Sequence, residues 1–260
     1  MKYSERCFVL LLVLCFASLI LESCYSGYSL VGVKGEAVPV TSVYDDHPDE
    51  RALAILCPYK QKIDSIMSPV IGYSSATLTV ERPESSLSNL IADILRESAA
   101  EVKKETIDIA VMNMGGIRNA LPEGKITYGT IYEIAPFENS LCILTMDGDV
   151  LIELFSQIAM VHGEGLSGAQ LTITEDGRLC NATIGGCPIK SEKTYTVATI
   201  DYLAEGNDRM TAFRKAKSKE YFKELLLRDL LLRYVMKCNE ESRAVKAGKE
   251  GRIQIKDNSL

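Results

Sequence analysis

The chain has 260 residues, 29 basic and 35 acidic side chains, a net charge of −6 and 47% apolar residues. That suffices for one domain with a full core, or a domain plus extensions. The acidic balance argues against broad attraction to nucleic acid and leaves anion binding to a local arginine pocket.

Lys2 and Arg6 form a basic head before the apolar run Cys7–Leu21, which is too short to span a bilayer comfortably. Residues 1–23 read as a secretion signal. Its end, Leu21-Glu22-Ser23-Cys24, resembles a bacterial lipobox, which implies a lipid anchor on Cys24 and an exported, membrane-tethered protein. Glu22 departs from the small or apolar residue usual there, and an ordinary cleaved signal is the alternative. The signal carries as many basic as acidic residues, so the mature charge stays at −6. Residues 24–48 lack periodicity and read as a tether; residues 49–260 read as the domain.

Residues 49–67 carry helical spacing in Leu53, Leu56, Ile63 and Ile66, with Pro58 starting a new helix or kinking one. Residues 70–80 read as a strand. An amphipathic helix follows, capped by Ser85 or Ser86, with Leu87, Leu90, Ile91, Ile94 and Leu95 on one face. "IDIAVM" (107–112) reads as a buried strand running into the turn "NMGGIR" (113–118). A short helix is capped by Thr127 and stopped before Pro136; "NSLCILTM" is a strand; Asp147 caps the helix that follows it. "GAQLTI" and "YTVATI" read as strands with a hairpin between them, bracketed by Cys180 and Cys187, which an exported protein can close as a disulfide. "YFKELLLRDLLLRYVMK" (221–237) reads as one long helix and "GRIQIK" (251–256) as a closing strand. Cys57, Cys142 and Cys238 sit among apolar residues and read as small core hydrophobes. Strands and helices mix without strict alternation, which predicts an α+β fold.

Histidine is scarce, with only His47 and His162, and no CxxC pair exists, so a zinc cluster has little support. Gly165-Leu166-Ser167-Gly168-Ala169 nearly matches a nucleophile elbow, but the last glycine is missing and a strand follows where a helix is needed. Asn181-Ala182-Thr183 is a chance-level glycosylation triplet, and His162 reads as solvent-facing at a helix end.

Five stretches, in order, carry a more specific pattern: "ESSLSNLIADIL", "MNMGGIR", "ITYGTIYEIAPFENSL", "LSGAQLTI" and "YTVATIDYLAEGNDRM". Together they resemble the carboxy-terminal, substrate-recognition domain of the bacterial and animal 5′-nucleotidase family, over roughly residues 50–256. The resemblance implies layered mixed sheets flanked by helices. It also implies site roles for six residues. Phe137 and Tyr202 match the two rings that sandwich the nucleobase, and Asp208 matches the carboxylate that binds the ribose hydroxyls. Arg118 matches the loop arginine on the phosphate side, and Asn113 the asparagine that fixes the nucleoside. Arg82 lies about a residue out of register with a second arginine. The chemistry fits these roles: base stacking on a ring is worth roughly 1–3 kcal/mol, and a guanidinium grips phosphate bidentately.

Four departures bear on the ligand: Met114, Asn207 and Arg209 stand where the family pattern has glycine, and Glu138 follows Phe137 in place of the family's glycine. The family's metallophosphatase half, with its two divalent metals, has no counterpart here; two-metal hydrolysis needs several ligands converging on ions ~3.5–4 Å apart. His47-Pro48-Asp49 is no such constellation. The expectation is therefore a recognition domain for a nucleoside or nucleoside 5′-monophosphate, without catalytic residues or a cofactor of its own. Divalent metals would belong to a separate metallophosphatase chain. The alternatives are a binding lipoprotein without hydrolysis and a scaffold that has lost its ligand.

Overall fold

The computed structural model describes residues 30–256, together with 7–9, 11–13 and 28; Cys24 and most of the apolar leader lie outside the described residues. The chain divides into two units, one up to Leu53 and one from Ala54 onward. In the first, the 3-10 turn Ser42–Asp46 buries no residue. Helix α1 (Glu50–Met67) opens with Asp49 Oδ1 accepting from the amides of Arg51 and Ala52, both at 2.9 Å. The helix carries Pro58 in its interior without interruption. It buries none of its residues, so Cys57 is exposed and not a core residue as its neighbours predict.

Among the described residues, the second unit adds eleven strands and five helices to the Ala54–Met67 part of α1. In chain order these are β1 (Val70–Ser74), α2 (Ser86–Lys103), β2 (Ile109–Met112), β3 (Gly124–Thr127), α3 (Tyr128–Ile134), β4 (Ser140–Asp147) and α4 (Gly148–Met160). There follow β5 (Gly165–Ser167), β6 (Ala169–Ile173), β7 (Leu179–Ile184), β8 (Cys187–Pro188), β9 (Thr194–Ile200), α5 (Asp201–Ala204), β10 (Ser218–Leu226), α6 (Leu227–Glu240) and β11 (Ile253–Ile255). The fold is α+β. A five-stranded sheet runs β10-β4-β9-β2-β5, a four-stranded one β11-β6-β7-β8, and β1 pairs with β3. Among the described strand pairs, β2–β9 and β11–β6 are parallel and the others antiparallel.

The central sheet is buried because its strands are apolar on both faces: every residue of β2 is buried, and so are the first five of β4. Helix α2 lays Leu87, Leu90, Ile91, Ile94 and Leu95 against β2, β5 and β9. Ser85 caps it by accepting from Ser88 N at 3.3 Å. Thr127 and Thr130 form a reciprocal capping box that starts α3. Asp147 stands at the N-cap position of α4, but its side chain makes no capping bond and pairs with Lys217 at 2.6 Å.

Three expectations are corrected. The strand predicted over 70–80 ends at Ser74, whose hydroxyl donates to the Ala76 carbonyl at 2.7 Å and turns the chain. The helix predicted over 221–237 is strand β10 up to Leu226 and helix only from Leu227. Tyr221, Phe222, Leu225 and Leu226 satisfy a helical spacing, but pairing to β4, with Tyr221 opposite Cys142 and Phe222 opposite Leu141, holds them extended. Cys180 and Cys187 are both free and exposed. The hairpin exists, but its register sets Ile184 opposite Cys187 and leaves Cys180 four residues further along the strand, roughly 13 Å away. A disulfide spans no such distance.

Candidate functional site

The "NMGGIR" turn leaves the buried end of β2. Met114–Gly116 make one 3-10 turn, closed by Ile117 N–H donating to the Met114 carbonyl at 3.1 Å. Arg118 N–H then donates to the Ile134 carbonyl at 2.9 Å, which ties the turn to the end of α3. Gly116 has a steric reason: a Cβ there would lie 2.8 Å from Asn113 Oδ1 and 2.9 Å from Met112 Cε. Gly115 has room, with its nearest neighbour, Asp208 Oδ2, at 3.8 Å.

Two other segments converge on this turn. The Pro136–Asn139 stretch between α3 and β4 carries Phe137. The short helix α5 carries Tyr202 and is followed by Asp208. Asp201 sets the start of α5: its Oδ1 accepts from Tyr202 N–H at 2.7 Å, and its Oδ2 from the Ser140 hydroxyl at 2.8 Å. Asp208 and Arg209 both have left-handed backbone conformations, φ 52° and 65°, which non-glycine residues rarely adopt.

Asn113, Gly115, Gly116, Arg118, Phe137, Asn139, Tyr202 and Asp208 line one cavity of about 380 Å³. Five of the six residues singled out from the sequence are thus brought together. Phe137 and Tyr202 are 47% and 41% exposed, so ring faces remain available to a ligand. Asp208 is held on both oxygens: Tyr202 Oη donates to Oδ1 at 2.8 Å and Asn113 Nδ2 to Oδ2 at 2.5 Å. The first of these hydrogen bonds raises the Tyr202 phenol above its ordinary value. Asn113 itself is only 3% exposed, and among the described residues its Oδ1 has no hydrogen-bond partner. Arg118 bonds the Gly115 carbonyl through Nη1 at 3.1 Å and makes no ion pair among the described residues.

The sixth, Arg82, does not line the cavity. Its guanidinium is taken by Glu164, Nη2 to Oε1 at 2.5 Å, and by the Gly163 carbonyl at 2.9 Å. Glu164 is 3% exposed and its other oxygen accepts from the Met114 amide. It therefore braces the glycine turn from behind. Burial pushes its carboxyl above the ordinary value, and the Asp208 charge adds to this; the Met114 amide and Arg82 oppose it.

Sequence reasoning missed Glu164 and Asn139. A lone carboxylate between two glycines, Gly163 and Gly165, was a signal for the first; its place two residues after Phe137 was one for the second. The departures also resolve into geometry. Met114 is buried, and neither it, Glu138 nor Arg209 lines the cavity. Ser167 of the near-elbow donates to Asp93 Oδ1 at 2.5 Å, and His162 is engaged with the Glu175 carbonyl. Among the described residues, no group of three or more His, Cys, Asp or Glu side chains is placed to hold a metal ion.

The family model "5'-nucleotidase, C-terminal domain" matches residues 70–215. A 5'-nucleotidase of Vibrio cholerae is 27% identical over 188 residues, covering 68% of this chain and 33% of its own length. The endonuclease YhcR of Bacillus subtilis is 36% identical over 165 residues, 60% of this chain and 13% of its own. Among solved structures, the 5'-nucleotidase precursor of Thermus thermophilus superposes with a TM-score of 0.70 at 27% identity, over 81% of this chain and 44% of that one. The chain thus spans a third or less of these curated relatives and under half of that structure. The match over 70–215 covers more than half of the sequence, and the chain belongs to the 5'-nucleotidase C-terminal domain family.

Proposed function

We propose that this domain recognises a nucleoside or nucleoside 5′-monophosphate, exported to the cell envelope and anchored there through Cys24. One observation carries the reading: two exposed rings, Phe137 and Tyr202, border the same cavity as the doubly held carboxylate of Asp208. A base stacks on the rings, the ribose diol donates to Asp208, and Arg118 meets the 5′-phosphate. The described residues do not fit a two-metal centre. Divalent metals and the hydrolytic step would come from a separately encoded metallophosphatase chain that meets this domain at the cavity mouth. The basic head and apolar run of residues 1–23 support export.

The test is a titration of the purified domain with adenosine and AMP, followed by affinity purification of the tagged chain from its own cells. Specific binding, with a metal-dependent AMP phosphatase in the eluate, supports the whole reading. Binding without phosphatase activity favours capture without hydrolysis, the second reading. No binding removes both.

A further inference from the structure

The junction of β10 and α6, where the sequence predicts uninterrupted helix, lies directly against the segment that carries Phe137. Three consecutive residues hold that segment. Leu226 pairs with Ser140 at the end of the β10–β4 ladder. Leu227 N–H donates to the Asn139 carbonyl at 2.8 Å. Arg228 Nη1 reaches the Pro136 carbonyl at 3.4 Å. The two cavity residues of the segment, Phe137 and Asn139, fall between these anchor points.

Arg228 is the unusual member. It is only 8% exposed, and among the described residues its Nε has no hydrogen-bond partner. Among the described residues it makes no ion pair. Its guanidinium instead lies 4.2 Å from the centre of the Tyr132 ring on α3. A buried cation without a counter-charge is costly, and an apolar side chain of similar length would pack there without that penalty. A stability role therefore does not account for the arginine. Its contacts do have a common consequence. A planar guanidinium laid on Tyr132 has little rotational freedom. It links the last turn of α3 to the carbonyl that immediately precedes Phe137.

We propose that Arg228 is a positioning residue for nucleobase stacking: it fixes the Pro136–Asn139 segment so that the Phe137 ring faces the cavity. The proposal rests on the nucleoside reading above, and the experiment separates the two. Adenosine is titrated calorimetrically into the wild type, Phe137→Ala, Arg228→Met and the Arg228→Met/Phe137→Ala double variant. Tyr132→Leu, which removes the ring beneath the guanidinium, is a second route should Arg228→Met fail to fold.

Arg228→Met weakens adenosine binding about fivefold, the lower end of one ring's stacking free energy. In the Phe137→Ala background the same substitution changes affinity less than about twofold, because the ring it positions is gone. Tyr132→Leu behaves as Arg228→Met does. If folded Arg228→Met or Tyr132→Leu binds as the wild type does, the positioning role is overturned while the nucleoside reading stands. Equal weakening in both backgrounds also overturns it, since the effect then does not pass through Phe137. A wild type that binds no adenosine overturns the functional reading and this inference together.

Discussion

The Tyr202 hydroxyl donates to Asp208 Oδ1 at 2.8 Å, so the proposed second stacking ring and the proposed ribose carboxylate form one unit. Asn113 completes it from the glycine turn, at 2.5 Å to Oδ2. The carboxylate is thereby oriented from two sides in a segment whose left-handed backbone holds it out of regular structure. Preorganisation of this kind lowers the ordering cost of binding.

Tyr202→Phe keeps the ring and removes the hydroxyl. Adenosine affinity falls by about 1 kcal/mol or less, because this bond exists with and without ligand and its loss acts only through the orientation of Asp208. Tyr202→Ala loses the ring as well and falls by a further ~1–3 kcal/mol. Calorimetry on both variants checks the order; equal losses would place all of Tyr202's contribution in its hydroxyl.

Asp208→Asn changes which sugar is preferred. The wild type binds adenosine more tightly than 2′,3′-dideoxyadenosine, and the asparagine variant closes most of that gap, about 1.5–3 kcal/mol for bonds to a charged acceptor. A gap that persists in the variant means Asp208 does not read the ribose.

Gly116→Ala drives a methyl group against Asn113 Oδ1 and Met112 Cε, and should cost about 1–3 kcal/mol of stability. Gly115→Ala meets no such neighbour and should melt close to the wild type. Thermal unfolding of the pair distinguishes a sterically required glycine from a permissive one.

Glu164 makes stability depend on pH in a defined sense. Its folded carboxyl titrates above the ordinary 4.5 because burial disfavours the charge. In the window between 4.5 and the raised value, the native state holds more protons than the unfolded chain, so stability declines as pH rises through it. Glu164→Gln abolishes this slope. Denaturant midpoints measured from about pH 4 upward show whether the difference between the two proteins narrows or grows along that window.

Cys180 and Cys187 should both alkylate in native, unreduced protein, since both are exposed and free. Cys142, buried and with its thiol pushed up to about 12, should not. Mass spectrometry reads this directly; protection of the hairpin pair until reductant is added would mean that the hairpin pairs in a different register in solution.

The amphipathic helix α2, the buried strand β2 and the capped helix α3 were legible because periodicity and caps are local properties. The candidate site was legible for a different reason: three of the five ordered motifs contain Asn113, Arg118, Phe137, Tyr202 and Asp208, which line one cavity. What stayed hidden depends on contacts distant in the chain. Tyr221 and Phe222 fit a helix by spacing, and only the free edge of β4 holds them extended. Arg82, out of register with the family arginine, is occupied by Glu164, 82 residues away. Cys180 and Cys187 bracket a hairpin in sequence, but strand register keeps them apart.

Whether Phe137 and its neighbours form a working nucleoside site is decided by titrating adenosine and AMP into the wild type and Phe137→Ala. Saturable binding of both ligands is expected, weakened by about 1–3 kcal/mol in the variant. Absence of wild-type binding, or binding that Phe137→Ala leaves unchanged, would contradict a stacking site at this cavity.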